Sequence, residues 1–200
     1  MLTSIELCKS LLDIDSDKHD TLLYTLASAV SEWLPGVCDR EFAYQSARVE
    51  QHHGGTDFIR TQLFPILSVT EMKEAPDRAF DEADPLDEDA EFVVEGGRGP
   101  ERNRGIVRKL YGRFTPGRGT VRITFDGGYY CGDPADKPAD VDLLPPTVKL
   151  AAAQMVAHLF RNRERFGNRT VTIGDMQIDE VQDGLLKIVD SMLERYKAVV

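Results

Sequence analysis

The chain has 200 residues, 42% hydrophobic and 29% charged, which is a globular composition and excludes a disordered chain. Its formal net charge of −10 argues against a general phosphate binder, because affinity for a nucleic-acid backbone comes from Lys and Arg displacing counterions. An acidic wall instead suits a protein that lets DNA pass without holding it, and no apolar run approaches the ~20 residues of a helical membrane span.

At the start, Thr3-x-x-Glu6 has the spacing of a capping box. Leu7, Cys8, Leu11, Leu12 and Ile14 supply the apolar stripe of a short first helix. Asp15, Ser16 and Asp17 break it and offer a new N-cap. Leu22, Leu23, Leu26, Ala27, Val30, Trp33 and Leu34 then recur at helical spacing, which predicts a strong amphipathic helix that Pro35-Gly36 ends or bends. The N-terminal stretch lacks a basic start followed by an apolar block, so no signal peptide is expected.

From Phe42 onward the period shortens. Runs at 48–52, 58–63, 69–73, 91–94, 106–111 and 121–125, separated by Gly, Pro and Asp clusters, predict about six short antiparallel strands in a sandwich-like or barrel-like insert. Charge within it is lopsided. Between Glu71 and Glu101 twelve acidic residues stand against Lys73, Arg78 and Arg98, whereas seven basic residues and no acid lie between Arg102 and Arg122. One reading is an acidic loop beside a basic hairpin, in contact within or between subunits; the other is a basic arm that touches nucleic acid or an acidic partner.

The last part is helical again. Pro145 and Pro146 suit a first turn, where a missing N–H costs nothing. Val148, Ala151, Ala152, Met155, Val156, Leu159 and Phe160 make the buried face, and the alanines let another helix approach closely. Arg161, Arg163 and Arg165 crowd the expected final turn, where cations complement the helix dipole, and Gly167 is the expected stop. Thr170 to Ile173 reads as a short extended piece, and a final helix is expected over 179–198 with Val181, Leu185, Ile188, Val189, Met192, Leu193 and Tyr196 on its apolar side. The fold class is therefore α+β: N-terminal helices in 1–41, a β-rich insert in 42–130 and C-terminal helices completing the helical core in 131–200.

No catalytic or cofactor motif accompanies these elements. The strand 121–125 runs into Asp126-Gly127-Gly128-Tyr129, but a phosphate loop needs a lysine and a hydroxyl directly before a helix, and here Asp126 would repel phosphate. Gly117-Arg118-Gly119 lacks the third glycine of a dinucleotide fingerprint. His52 and His53, with Asp57 nearby, are the best metal candidates, yet neighbours on a strand point to opposite faces. His158 has no second histidine four residues away, and no G-x-S-x-G is present. Cys8, Cys38 and Cys131 are widely spaced without a C-x-x-C, which argues against a disulfide framework. No cofactor, no metal and no enzymatic activity are expected. Asp126 to Tyr129 reads as a strand end whose glycines permit positive φ before the chain crosses to the next helix.

The order of elements carries a resemblance. Two helices lead to Cys38-Asp-Arg-Glu-Phe42. Leu63-Phe-Pro-Ile-Leu-Ser-Val69 and Thr124-Phe-Asp-Gly-Gly-Tyr129 follow, then Leu144-Pro-Pro-Thr-Val-Lys-Leu-Ala-Ala-Ala153, ending in Leu159-Phe-Arg-Asn-Arg-Glu164. Over residues 3–197 this resembles the tailed-phage head–tail connector family, also called adaptor or head-completion proteins. The stretch 77–91 and the basic stretch after it look like an enlargement of that family's middle region. The resemblance implies a structural virion protein of the neck, with no catalysis. It would form a homo-oligomeric ring, typically dodecameric, on the portal protein, extend the DNA channel without sequence-specific binding, and offer a surface to tail or stopper proteins. The alternatives are another ring-forming neck or tail-completion (stopper) protein and, from a different class, a metal-dependent hydrolase built on His52 and His53. Side-by-side subunits in a ring bury heterologous surfaces. The residues expected at partner or copy contacts are Arg108 and Arg113 in the insert, and Leu159, Phe160, Arg161, Arg163, Arg165 and Tyr196 in the helical ends.

Overall fold

Ser4, rather than Thr3, starts the first helix. In the computed structural model, which describes residues 1–97, 104–163, 170–173, 176–179 and 182–197, the Ser4 hydroxyl accepts from the Leu7 backbone N–H at 3.3 Å. Thr3 is buried, so its side chain is drawn inward and the capping position moves one residue along. The chain forms two compact units, Met1–Cys38 with Pro145–Lys197, and Asp39–Leu144.

The first unit is mainly helical. Helix α1 (Ile5–Leu12) closes on Asp13 in the left-handed conformation, φ 57°. The Lys9 ammonium then reaches Asp17 at 2.8 Å and Asp20 at 2.9 Å, which ties α1 to the start of α2 (Asp20–Cys38). Helix α2 runs through Pro35 rather than ending there. A proline removes its own backbone donor and crowds the carbonyl four residues back, yet the helix continues three residues past it to Cys38. Burial of Leu34 and Cys38 holds that last turn in place.

Helix α3 (Pro146–Arg161) is the centre of this unit. Helices α1, α2 and α4 all pack against it. Serving three partners requires a thin helix, and the buried Ala151, Ala152, Ala153 and Ala157 provide it. Its end differs from expectation. The helix stops at Arg161, where the Asn162 N–H bonds the His158 carbonyl at 3.0 Å, so Arg163 lies beyond the last turn. The expected stop at Gly167 lies outside the described residues.

The final helix also starts later than its apolar period suggests. Met176–Asp179 (β8) pairs antiparallel with Thr170–Ile173 (β7), with Thr170 opposite Asp179. Gly174-Asp175 between the two runs is the composition of a two-residue hairpin connection, a signal masked by the helical stripe that follows it. Helix α4 therefore spans Gln182–Leu193, followed by a short 3₁₀ turn, Glu194–Tyr196.

The second unit contains the six expected strands: β1 (Gln45–Gly54), β2 (Phe58–Arg60), β3 (Ile66–Glu74), β4 (Phe92–Val94), β5 (Ile106–Lys109) and β6 (Gly117–Gly127). They form two antiparallel three-stranded sheets, ordered β1-β6-β3 and β2-β5-β4. On the central strand β6, Val121, Ile123 and Phe125 are buried while Arg122 and Thr124 are half-buried, the period-two pattern of a sheet with one core face. Ile59, Phe92 and Val107 from the smaller sheet join them in one core, as in a sandwich. The class is α+β.

The packing of α3 sets a quantitative expectation. Ala152→Leu enlarges a fully buried side chain and should destabilise the protein by about 1–3 kcal/mol in denaturant titration. The same change at Ala29, which is exposed on α2, should be near neutral.

Candidate interaction surfaces

Three of the segments that carry the resemblance meet at one side chain. Arg40 is only 4% exposed. Its guanidinium lies 3.5 Å from the centroid of the Phe64 ring, 4.6 Å from that of Phe42 and 5.7 Å from that of Tyr129. It donates to the Phe64 carbonyl and, from Nε, to the Glu41 carbonyl at 3.4 Å. Around it, the Tyr129 N–H bonds the Phe42 carbonyl at 2.7 Å and the Tyr44 N–H bonds the Tyr129 carbonyl at 2.8 Å. Gly128 has φ +90°, and a Cβ there would stand 2.8 Å from the Ala43 oxygen. Gly127, by contrast, lies in the strand without positive φ, so only one glycine of the pair supplies the turn. The Arg-x-Phe, Phe-Pro-Ile and Gly-Gly-Tyr signatures are thus one packing node, in which cation–π contact offsets the burial of a charge.

The charged blocks of the strand unit largely engage each other. Arg108 pairs with Glu95 and Asp57, and its pKa is raised chiefly by the Glu95 hydrogen bond. Lys109 pairs with Glu74, whose second oxygen accepts from the Thr115 N–H at 2.7 Å. Arg122 reaches Asp81 at 3.5 Å and Glu71 at 3.6 Å. Of the two insert residues expected at a contact, Arg108 is therefore held within its own unit. Arg113 is exposed, close in the chain to Tyr111, which is 78% exposed.

The histidines follow the strand geometry. His52 Nε2 lies 3.1 Å from the Glu50 carboxylate, while His53 Nδ1 accepts from the Gly119 N–H at 3.0 Å. Among the described residues no three His, Cys, Asp or Glu side chains gather as a metal site. Glu50 is a buried carboxylate that also accepts from the Gln62 and Leu63 N–H groups, at 3.0 and 3.3 Å. Burial pushes its pKa up, but the His52 bond and the two backbone donors outweigh burial and hold it below the usual value. Burial pushes the Cys8 thiol up, which keeps it protonated and inert.

In the helical unit the expected contact residues divide. Phe160 is buried in the chain, its ring edge-on to His19 at 5.3 Å. Leu159 is half-buried. Arg161 donates to the Leu11 carbonyl at 2.9 Å, and Arg163 donates to the Phe160 carbonyl at 2.7 Å and lies over its ring. Arg165 lies outside the described residues. Tyr196 is half-buried, with the Arg195 guanidinium 5.8 Å from its ring centroid.

Helix α2 divides a pattern that the sequence presents as one. Leu22, Leu26 and Trp33 share its apolar period with Leu23, Ala27, Val30 and Leu34, but only the second set enters the core. Leu22, Leu26, Ala29, Trp33 and Val37 form a separate stripe; Trp33 is 48% exposed. Neighbouring positions on a helix point ~100° apart, so an arc this wide exceeds what one partner helix covers. That width is the sequence signal of the second stripe. Beside it, Trp33, Val37, Met155, Val189 and Leu193 line an open groove of 390 Å³, with Lys187 and Asp190 at its edge.

No known family model matches the sequence, and no curated protein matches it. Among solved structures, a chain in the neck of an empty GTA particle, computed with C6 symmetry, is similar in fold. The TM-score is 0.56 at 15% identity, covering 100% of this chain and 91% of that one.

Three measurements check these assignments. Gly128→Ala should destabilise the protein by about 1–3 kcal/mol, because positive φ and the Ala43 oxygen both oppose a Cβ. Arg108→Glu should lower the denaturation midpoint whereas Arg113→Glu should not, since of the two only Arg108 has carboxylate partners among the described residues. Glu50 has a depressed folded-state pKa, so its contribution is present above the ordinary carboxylate value of ~4.3 and is lost as pH falls through the folded value. Stability of Glu50→Gln should therefore fall less steeply than wild type in acid titration below that range.

Proposed function

We propose that this chain is a structural subunit of the neck of a tailed-phage or phage-like particle, a head–tail connector that forms a ring on the portal. The observation that carries this reading is the fold likeness to a neck chain across the whole of this sequence. A likeness confined to one unit would fit a shared domain; one that spans both units favours the same kind of building block. Six-fold symmetry in that neck is compatible with the dodecameric ring that the sequence resemblance implies, since twelve is a multiple of six.

The physical properties of the chain suit that role. A net charge of −10 keeps an assembling protein soluble and repels the phosphates of DNA crossing the ring. The unpartnered stripe of α2 supplies apolar area for contact with another chain. In the ring, the chain would extend the DNA channel and offer its outer surface to a tail or stopper protein, with no catalytic step.

The reading is tested by adding purified protein to portal-bearing, DNA-filled heads that lack a neck and imaging them in negative stain. Ring-shaped density at the portal vertex is the expected result. Absence of binding, or binding to isolated tail tubes instead, overturns the portal assignment. The free protein should also leave duplex DNA unshifted at ~100 μM in about 0.15 M salt, a concentration at which an ordinary non-specific binder shifts it. Tight, salt-sensitive binding would mark the basic stretch 102–122 as a nucleic-acid arm.

A further inference from the structure

We propose that copies of this chain join side by side by seating the outer ridge of α4 from one copy in the α2–α4 groove of the next. This rests on the ring reading above, and names the contact that would build the ring.

The two patches lie on opposite sides of one helix. At ~100° per residue, the groove-lining positions of α4, Lys187, Val189, Asp190 and Leu193, centre on one side. Ile188 and Met192 emerge on the other, ~150° away by the same periodicity. Ile188 is 53% exposed, an apolar side chain that its own unit leaves open. On the groove side, Trp33 is a large aromatic left half uncovered, the residue type that dominates contact energies when a partner buries it. A ridge on one side and a groove on the other cannot be satisfied by a two-fold contact between identical patches. They are satisfied by head-to-tail repetition, which closes into a ring when the rotation allows.

Charge selects the occupant and its orientation. Lys197 holds both Asp190, at 2.6 Å, and Glu194, at 3.4 Å, and so draws the carboxylates at the end of α4 to itself while offsetting one of their two charges. That leaves Arg195 exposed beside the ridge without an ionic partner among the described residues. Helix α2 contains two acidic residues, Asp20 and Glu32, and no basic one. Glu32 is exposed beside Trp33 and likewise has no ionic partner among the described residues. The ridge side therefore carries an exposed cation, and α2, one residue before the groove-lining Trp33, an exposed anion, neither with an ionic partner among the described residues. Lys187 on the opposite rim repels the reverse orientation.

The test is a disulfide between copies. Trp33→Cys and Ile188→Cys are placed together and separately in a chain whose half-buried Cys131 is changed to serine; Cys8 and Cys38 are fully buried. Each preparation is oxidised both free at high concentration and on portal-bearing heads, then run on non-reducing gels. The double variant should give a ladder of covalent multimers, and each single variant no more than a dimer. A double variant that yields no ladder in either setting overturns the proposal. Independently, Ile188→Glu should weaken self-association ~10-fold or more with an unchanged thermal melt, and Glu32→Arg combined with Arg195→Glu should restore what either reversal loses. Unchanged association in Ile188→Glu also overturns it. Portal docking of the wild-type chain is read separately. Rings on the portal without a ladder would keep the functional reading and sink this contact; a ladder without portal docking would do the opposite.

Discussion

The helical unit depends on one helix serving three others. Because α3 presents Ala151, Ala152, Ala153 and Ala157 to its surroundings, α1, α2 and α4 can each come close to it. Close approach on several sides leaves α2 and α4 packed on α3 rather than on each other, and the groove between them follows from that arrangement. Larger residues on α3 would push the helices outward and erase the groove with them. The small side chains therefore determine both the stability of the unit and the shape of its surface.

The strand unit rests on a different device. Its larger sheet has a conventional core, but the connections into and out of that sheet converge on Arg40. A guanidinium can face several rings at once and still donate to carbonyls, which neither lysine nor an aliphatic residue can do. Residues near positions 40, 64 and 128 are far apart in sequence, so a single buried cation fixes three crossings together. The unit is also rich in ion pairs: Arg108, Lys109 and Arg122 each engage carboxylates that lie well away in sequence. The more exposed of these, Arg108 with Asp57 and Glu95, add little stability one by one. Their effect is to limit repulsion within a surface that stays acidic.

Much of this is legible in the sequence. The six strands, the Pro-started helix and the charge blocks are local patterns, and local patterns survive into the fold. What the sequence hides is whatever depends on the number of partners. The period of α2 shows that it is helical and amphipathic, but not that its apolar arc divides between Leu23–Leu34 in the core and Leu22–Trp33 outside. The sequence places Phe160 on a buried face, but does not show that His19, more than a hundred residues away, packs against its ring. The residue Asp179 fits both a helical stripe and the end of β8, and pairing with β7 decides the matter. Asp57 and Glu95 likewise give no sign in the sequence that both belong to Arg108.

The division of α2 bears on assembly in a way that charge alone would not. A surface helix with one apolar stripe is complete once its unit has folded. A helix with two adjacent stripes is complete only when something covers the second, and exposed area of that kind costs free energy in proportion to its size. The strand unit also exposes single apolar side chains, among them Val49, Leu110 and Tyr111, whereas α3 is largely buried. On α2 the uncovered residues form a continuous stripe beside a groove whose far wall, α4, carries the exposed Ile188 on its other side. Covering both patches at once requires two neighbours, one on each side. On the contact proposed above, these two unlike patches would be covered by head-to-tail repetition, which a closed ring completes without leaving either one open.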